Sequence, residues 1–352
     1  MQDIYQIDKN LFFDSNIDIP GIRFYDVLQS PFSVHGVFHE GGMFRRMPET
    51  LAKSVNDGVY RLHTNTAGGR VRFRTDSPYI AIHADMPPAT HMSHCALTGS
   101  ASFDLYVRGE DGKERFVDAY KRGIKAPAGY EAVLRPAGEG MREYTINFPT
   151  YSSVNSLHIG LDENAAVEAP APYSRPVPVL FYGSSITQGG CASRPGTTYQ
   201  SIASRRLEFD YINLGFAGSA KAEQTMADYI AQQNMSVFVY DYDHNAPTVA
   251  HLQDTHEKMF LTVRKAHPNI PIIMMARPRY SPDADALARL AVIRNTYENA
   301  QKAGDRNVYL LDGPTLMAMA GDDGMVDNSH PNDLGFGSMA KALCDTLEKI
   351  WG

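Results

Sequence analysis

The sequence has few cysteines and no long apolar run. It contains three cysteines in 352 residues, Cys95, Cys191 and Cys344. Their wide spacing and odd number exclude a disulfide framework and a cysteine-based zinc site, although one bridge stays open. The best apolar run, residues 270–276, is far shorter than the roughly 18 residues that span a bilayer. We therefore expect neither a small disulfide-rich protein nor a membrane protein.

The sequence also has no excess of basic residues. Thirty-three Lys and Arg stand against 40 Asp and Glu, which gives a net charge of −7 and an isoelectric point near 5.9. An acidic chain offers no positive surface to a phosphate backbone, so we expect no nucleic-acid partner. The hydrophobic share of 43% and the charged share of 21% are those of an ordinary globular protein, and the length suggests about two domains.

The first nine residues contain no basic stretch followed by an apolar one. No signal peptide is expected within them. A cytoplasmic location stays open, and so does a periplasmic or secreted one for a chain whose leader has been removed. No feature of the sequence predicts the oligomeric state.

The two halves of the chain differ in pattern. Residues 1–161 contain short β-rich runs between Gly- and Pro-containing turns, which predicts an all-β sandwich or jelly-roll domain with β-structure throughout. Residues 162–176 are rich in Ala and Pro and predict a linker. The strands of the first half are predicted at 71–75, 80–82, 103–107, 132–134, 144–148 and 154–159.

Residues 177–352 alternate short apolar runs with longer amphipathic stretches. This alternation predicts an α/β domain with a doubly wound parallel sheet and helices on both faces. The strands are predicted at 177–182, 211–214, 237–242, 270–276 and 308–311, and the helices at 197–208, 219–232, 248–266, 282–303 and 334–350.

Residues that could take part in catalysis follow the first two of these strands. In an open parallel sheet the functional site lies at the carboxyl ends of the strands. Ser185 comes directly after the first strand, with Gly183 two residues before it, as in the turn that presents an acyl-transfer nucleophile. Gly215 and Gly218 follow the second strand, and a glycine there lets a backbone N–H approach an oxyanion closely. A role in the turn alone is the alternative for each segment.

The third and fifth strands add polar side chains. Asn245 follows the third strand as a possible oxyanion donor, or else Asn245 and Asp243 cap a helix that begins near Pro247. Asp327 and His330, three residues apart, share a face of one turn, so the carboxylate can orient the imidazole unless the pair is a chance surface feature. A nucleophile, two oxyanion donors and an oriented base at one sheet edge predict an acyl-transfer site.

This order of segments resembles the SGNH, or GDSL-like, hydrolase superfamily, which is named for Ser, Gly, Asn and His in four sequence blocks. The resemblance covers residues 177–352 and implies a flavodoxin-like three-layer domain. It assigns Ser185 as the nucleophile, Gly218 rather than Gly215 as the glycine donor, and Asn245, His330 and Asp327 as the other site residues. Residues 183–185 are Gly-Ser-Ser where the family usually has Gly-Asp-Ser, but the missing carboxylate is not part of the triad.

Longer motifs resemble bacterial GDSL-like acylhydrolases that carry an N-terminal β-domain. They are Gly-Ser-Ser-Ile-Thr-Gln-Gly at 183–189, Ala-Ser-Arg-Pro-Gly at 192–196 and His-Pro-Asn-Asp-Leu-Gly at 330–335. Residues 102–106, Ser-Phe-Asp-Leu-Tyr, are similar to the Gly-x-Asp-Leu-Tyr signature of that β-domain without its glycine. The resemblance implies a serine esterase that hydrolyses a small acyl ester, acetyl above all, on a carbohydrate, with no metal or cofactor.

Three alternatives remain open at this stage. A lipase or thioesterase would act on longer acyl chains, and a carbohydrate-binding protein without catalytic activity would keep the fold.

Two arginines are candidate substrate contacts. Arg194 and Arg277 would contact substrate or, more often for such arginines, tie loops together.

A metal-dependent hydrolase is the third alternative. Two pairs have the spacing of metal ligands, His91 with His94 and Asp241 with His244. It is less favoured because the first pair has no carboxylate nearby in sequence.

Overall fold

Two sheet architectures follow one another along the chain. The computed structural model describes residues 15–123, 126 and 128–352. The strands of the first half are β1 (Ile22–Asp26), β2 (Ser33–His35), β3 (Phe38–Glu40), β4 (Met43–Arg45), β5 (Arg70–Thr75), β6 (Ile80–Asp85), β7 (Phe103–Arg108), β8 (Glu114–Tyr120), β9 (Tyr130–Leu134), β10 (Arg142–Asn147), β11 (Ser156–Asp162) and β12 (Val167–Glu168). Its helices are α1 (Glu49–Val55), α2 (Asp57–Leu62) and α3 (Leu97–Ser100).

The antiparallel strands of the first half form two sheets that share one core. The first sheet has the order β1-β11-β6-β9, and the second has the order β12-β5-β10-β7-β8 with β2 beside β5. Ile82 and Ile159 of the first sheet belong to the same buried cluster as Phe73 and Ile146 of the second. Alternate residues of a strand point to opposite faces, so the apolar face of each sheet fills this core. The predicted sandwich is confirmed.

Helices α1 and α2 were not predicted, and the expectation of β-structure throughout the first half is wrong for residues 49–62. The side chain of Asn56 caps α2 by accepting a hydrogen bond from the Val59 N–H at 2.9 Å. Ala52 and Val59 belong to the same buried cluster as Phe216 of the second half. These helices therefore pack on the α/β sheet and not in the sandwich.

The second half forms an α/β domain. Its strands are β13 (Arg175–Gly183), β14 (Phe209–Gly215), β15 (Val237–Asp241), β16 (Ile272–Met275) and β17 (Val308–Leu311). Its helices are α4 (Ser185–Gln188), α5 (Tyr199–Leu207), α6 (Gln224–Ala231), α7 (Val249–Ala266), α8 (Ala284–Lys302), α9 (Gly313–Leu316) and α10 (Asp333–Trp351), with 3₁₀ turns at Pro195–Thr197 and Gly321–Gly324. Among the described residues, no helix is both long and apolar enough to cross a membrane.

The five strands of this domain are parallel and have the order β14-β13-β15-β16-β17. Chain order reverses beside β13, as in the flavodoxin-like arrangement, and ligands bind at the carboxyl side of such a switch point. Leu180 and Tyr182 pack with α6, α7 and α8, whereas Val179 and Phe181 pack with α5 and α10. Burial on both faces explains the continuous apolar runs, and the predicted doubly wound domain is confirmed.

The segment at 162–176 is not free of secondary structure. Val167 and Glu168 form β12 and pair with Thr75 and Arg74 of β5. The first parallel strand, β13, already begins at Arg175. The predicted linker therefore runs along the edge of the sandwich before the chain enters the parallel sheet.

The sandwich packs against the end of β14. Arg46, just after β4, donates hydrogen bonds to the carbonyl groups of Asn213 at 3.2 Å and Gly215 at 2.5 Å. Burial lowers the pKa of Arg46 to about 9. Arg70 of β5 pairs with Asp210, with Nη2 at 2.5 Å from Oδ1. These contacts fix the sandwich beside the loop that follows β14, where the sequence predicts part of the site.

Candidate active site

Ser185, His330 and Asp327 form a chain of hydrogen bonds at the carboxyl edge of the parallel sheet. Ser185 Oγ lies 3.0 Å from His330 Nε2, across 145 positions of sequence. His330 Nδ1 lies 3.0 Å from Asp327 Oδ2 and 3.1 Å from Oδ1. An imidazole held between a hydroxyl and a carboxylate can accept the hydroxyl proton while the carboxylate stabilises the resulting charge.

The turn from β13 into α4 presents Ser185. The Ser184 hydroxyl caps the helix by accepting a hydrogen bond from the Ile186 N–H at 3.2 Å, which makes Ser185 the first helical residue. A Cβ at Gly183 would lie 2.2 Å from Thr187 Oγ1 and 2.3 Å from Asp241 Oδ1. Only glycine fits that position, so the glycine two residues before the serine is a steric requirement of the turn.

Candidate oxyanion donors come from the Ser185 turn, from the loop after β14 and from Asn245. Among the described residues, the N–H groups of Ser185 and Gly218 donate to no other group of the chain. Gly218 has φ +67 and no atom within 4 Å of the position of a Cβ. Asn245 Oδ1 accepts a hydrogen bond from the Ala220 N–H at 3.3 Å, which leaves the amide nitrogen of Asn245 as a donor. The predicted Ser, Gly and Asn segments therefore each offer an N–H.

Asn245 and Asp243 do not cap a helix, because α7 is capped by Thr248, whose Oγ1 accepts a hydrogen bond from the His251 N–H at 3.0 Å. Asp243 is buried and accepts a hydrogen bond from the Arg277 N–H at 3.2 Å. The structure thus removes the capping alternative that the sequence left open.

The two arginines for which the sequence left a substrate contact or a structural role open each contact a neighbouring segment. Arg277 Nη1 lies 3.0 Å from Asp285 Oδ2, and its Nε lies 3.4 Å from Asp243 Oδ2. The Arg194 guanidinium lies 3.9 Å from the centre of the Phe116 ring of the sandwich. In the part of the chain that the structure describes, neither arginine forms a hydrogen bond or ion pair with Ser185, His330 or Asp327, and a substrate contact stays a prediction.

The Asp327 carboxylate is held in its ionised form. Burial would raise its pKa, but the hydrogen bonds from the His330 ring and from the N–H groups of His330 and Ser329 lower the pKa to about 2. These N–H groups donate to Oδ1 at 2.8 and 2.7 Å. The side chain of Asp327 is 41% exposed and that of His330 is 18% exposed, so the chain of hydrogen bonds is open to solvent.

Several residues around this chain of hydrogen bonds were missed. Arg279 Nη1 donates to Asn328 Oδ1 at 2.6 Å, and its Nη2 donates to the Asn328 carbonyl group, which holds the loop between Asp327 and His330. Tyr151 of the sandwich donates its hydroxyl to the Ser185 carbonyl group at 3.3 Å. These contacts depend on how the two halves dock and on a loop conformation, for which the sequence carries no periodic signal.

The structure brings together a group of potential metal ligands that differs from the two pairs considered from spacing, although His94 belongs to both. His94 lies against His330, with ring centres 5.2 Å apart. The free thiols of Cys95 and Cys191 lie 3.7 Å apart, and they and His94 offer ligand atoms within 4.8 Å of one another. Spacing along the chain did not indicate this group, because the fold joins distant segments.

Asp241 at the end of β15 lies buried beneath the Ser185 turn. Burial, opposed by the hydrogen bond from Thr187, raises the pKa of Asp241 to about 7. The pKa of an unfolded Asp is about 3.9, so between pH about 4 and 7 the folded chain keeps a proton that the unfolded chain releases. This carboxyl therefore makes the free energy of unfolding fall as pH rises through that range.

We expect the Asp241→Asn variant to lose this contribution. Its free energy of unfolding, measured by urea denaturation between pH 4 and 7, is expected to have a slope against pH less negative by about 1 kcal/mol per pH unit than that of the parent. Asp254→Asn, at an exposed position on α7, is the matched control for the loss of one carboxyl group. Equal slopes for the parent and Asp241→Asn would contradict the raised pKa.

Family models match both halves of the chain. Residues 176–348 match the GDSL-like Lipase/Acylhydrolase family, and residues 22–167 match GxDLY, the N-terminus of SGNH-type esterases. The chain belongs to the GDSL-like lipase/acylhydrolase family and is an ester hydrolase of the SGNH type. The resemblance seen in the sequence is confirmed, including the β-domain, whose signature here lacks its glycine.

Solved structures that match most of this chain include a GDSL-like lipase of Bacteroides ovatus, which is 28% identical with a TM-score of 0.83, and the match covers 94% of this chain and 98% of that chain. The salicylyl-acyltransferase SsfX3 of a tetracycline biosynthetic pathway is 20% identical, with a TM-score of 0.75 and coverage of 94% and 98%. An acetyl xylan esterase, Est2A, from the rumen bacterium Butyrivibrio proteoclasticus is 15% identical, with a TM-score of 0.58 and coverage of 94% and 99%. The last two share the fold. No match was found among the curated proteins.

Proposed function

We propose that the protein is a serine esterase that removes a small acyl group, acetyl above all, from a carbohydrate. Ser185 is the nucleophile, His330 the general base and Asp327 the residue that orients the imidazole. The observation that carries this proposal is the distance of 3.0 Å from Ser185 Oγ to His330 Nε2, continued by 3.0 Å from Nδ1 to Asp327.

The first half of the reaction forms an acyl-enzyme. Ser185 Oγ attacks the ester carbonyl carbon while its proton passes to His330 Nε2. Negative charge develops on the carbonyl oxygen, and the N–H groups of Ser185 and Gly218 and the Asn245 amide donate hydrogen bonds to it. The imidazolium then gives its proton to the leaving sugar oxygen as the carbon–oxygen bond breaks.

The second half releases the acyl group. A water molecule gives a proton to His330 Nε2 and attacks the acyl carbon, and the same donors stabilise the second tetrahedral intermediate. Its collapse frees the carboxylic acid and returns the proton to Ser185 Oγ. No step of this sequence needs a metal ion or a cofactor.

The exposure of the site supports a small acyl group on a large polar alcohol. Side-chain exposures of 18% for His330 and 41% for Asp327 place these groups at the surface. A long acyl chain gains about 0.8 kcal/mol for each methylene that it buries, and that gain requires apolar walls. The sandwich instead places His94 beside the His330 ring, with ring centres 5.2 Å apart, and a polar aromatic side chain suits a sugar better than an acyl chain. The fold shared with an acetyl xylan esterase supports the same substrate class.

A panel of esters with matched leaving groups tests the substrate. We expect kcat/KM to fall from p-nitrophenyl acetate to the butyrate and decanoate esters, and acetylated xylo-oligosaccharides to release acetate. The deacetylated sugar is the control for binding without reaction. A preference for decanoate or for an acyl thioester would establish the lipase or thioesterase alternative, and sugar binding without acetate release would establish the carbohydrate-binding protein without catalytic activity.

The proposed oxyanion donor Asn245 gives a separate prediction. Asn245→Ala is expected to lower kcat about 100- to 1,000-fold, or about 2.7 to 4 kcal/mol, because one donor to the developing charge is lost. KM is expected to change little, since the hydrogen bond forms in the transition state. Asn245→Asp keeps the oxygen that accepts from Ala220 but cannot donate, and should be equally slow in p-nitrophenyl acetate kinetics. Normal activity of Asn245→Asp would refute the donor role.

A further inference from the structure

Three side chains with metal-ligating atoms meet beside the proposed active site. Cys95 Sγ lies 3.7 Å from Cys191 Sγ, and the ligand atoms of His94, Cys95 and Cys191 all lie within 4.8 Å of one another. His94 and Cys95 precede α3 in the sandwich half, whereas Cys191 follows α4, the helix that begins with Ser185. We call these three residues the Cys-Cys-His cluster. It spans the contact between the two halves of the chain.

The spacing of the two sulfur atoms fits a shared tetrahedral ion. Two thiolates bound to one Zn²⁺ at about 2.3 Å stand about 3.8 Å apart at the tetrahedral angle. The observed separation is 3.7 Å, whereas a disulfide needs about 2.05 Å. Among the common divalent cations, zinc is the one that prefers thiolate and imidazole donors together. Both the distance and the donor types point to the same class of ion.

The segments that carry the cluster are held in place by contacts outside it. Thr98 donates its hydroxyl to the Ser193 carbonyl group at 2.6 Å. Gly99 packs so closely on the loop after Cys191 that a Cβ there would lie 2.0 Å from the Ala192 carbonyl oxygen. The ligands are thus brought together before any ion binds, which reduces the conformational entropy lost on binding.

We propose that Cys95, Cys191 and His94 form a zinc-binding site that links the sandwich to the turn of the proposed nucleophile. The two thiols lose their protons to the solvent as the Zn–S bonds form, and the imidazole binds in its neutral form. Three protein ligands leave the fourth tetrahedral position to a water molecule.

The position of this site gives it a structural consequence. The ion joins the loop of His94, whose ring lies 5.2 Å from the His330 ring, to the segment directly after Gly190. A Cβ at Gly190 would lie 3.3 Å from His330 Cδ2, so both ligand-bearing segments border the same imidazole. A bound zinc ion therefore fixes one wall of the site and stabilises the folded chain by binding to it more tightly than to the unfolded chain.

Metal titration of the full chain, reduced with a phosphine, tests the proposal without any activity assay. We expect Co²⁺ to bind one per chain with a thiolate-to-cobalt charge-transfer band in the near ultraviolet, and Zn²⁺ to abolish that band by displacement. Competition with a chromophoric chelator gives the dissociation constant for Zn²⁺. Cys95→Ser and His94→Gln are expected to weaken binding by about 100-fold or more, a larger loss than is usual for residues that only support a ligand.

Matched controls keep the outcome clear. Cys344→Ser removes a buried cysteine outside the cluster, and His91→Gln removes a histidine of the same loop; both are expected to bind Zn²⁺ like the parent and to show the same rise in Tm on zinc addition. Absence of the cobalt band in the reduced protein, or equal weakening in the control variants, would overturn the proposal. So would a Cys95–Cys191 disulfide whose reduction restores no metal binding. Since the readouts are spectroscopic, an inactive esterase with intact zinc binding would count against the proposed function alone.

Discussion

Ser185→Ala is expected to lower kcat for p-nitrophenyl acetate by about 10⁴- to 10⁶-fold, the range of losses when a triad nucleophile is removed. The physical reason is that the acyl-enzyme route closes: alanine has no oxygen to attack the carbonyl carbon, and His330 Nε2 loses the hydroxyl that it contacts at 3.0 Å. The rate that remains over water comes from the oxyanion donors and from substrate binding, which the substitution leaves in place.

The adjacent serine provides the sharpest control. Ser184 and Ser185 are neighbours, but the Ser184 hydroxyl accepts from the Ile186 N–H and faces Asp241 rather than His330. Ser184→Ala is therefore expected to cost about 1 kcal/mol of stability as a lost helix cap, and to change kcat less than tenfold. A fluorophosphonate probe should label the parent and Ser184→Ala on Ser185 and leave Ser185→Ala unlabelled. Full activity of Ser185→Ala, or the large loss in Ser184→Ala instead, would refute the assignment.

The sequence predicts best those features that one short segment determines. The strands β13 and β15 are apolar at successive positions because both of their faces are buried, so their runs were visible. Asp327 and His330 were visible as a pair because they stand three residues apart and contact each other directly. Gly183 was visible for a similar reason, since part of its steric requirement arises from Thr187 in the same turn.

The features that the sequence does not predict arise from docking between distant segments. Arg46 resembles a surface residue in the sequence, yet it is buried against the carbonyl groups at the end of β14. Tyr151 and His94 reach the site only because the sandwich packs against the carboxyl edge of the parallel sheet. The two cysteines that face each other are 96 positions apart. No local period or spacing encodes such contacts.

The position of the sandwich also bears on its role. The sequence leaves three roles open for the sandwich: a packing partner, a glycan-binding module or a wall of the site. Tyr151 contacts Ser185, and Thr98 contacts the loop after α4, so the sandwich meets the turn of the proposed nucleophile directly. This contact supports a role of the sandwich as a wall of the site, because a domain that only bound glycan elsewhere would not need the contact.

Asp327→Asn is expected to lower kcat by about 10⁴-fold while the fold is kept. The Asp327 carboxylate accepts the hydrogen bond of His330 Nδ1–H, which leaves Nε2 unprotonated toward Ser185 and stabilises the imidazolium that forms when Nε2 takes the proton. An Asn side chain presents an NH₂ group to Nδ1, which favours the tautomer with the proton on Nε2. That tautomer cannot accept the proton of Ser185, and no negative charge remains to stabilise the imidazolium.

The loop itself should survive this substitution, which is what makes the test informative. Asp327 Oδ1 accepts hydrogen bonds from the Ser329 and His330 N–H groups, and the amide oxygen of Asn can accept both. Arg279 holds Asn328 independently of residue 327. We therefore expect an unchanged circular dichroism spectrum together with the large fall in kcat, and a KM close to that of the parent. Asp323→Asn, an exposed acid in the preceding 3₁₀ turn, carries the same change of charge and should keep kcat within threefold. A loss in Asp327→Asn no larger than in Asp323→Asn would mean that Asp327 contributes only to the surface charge.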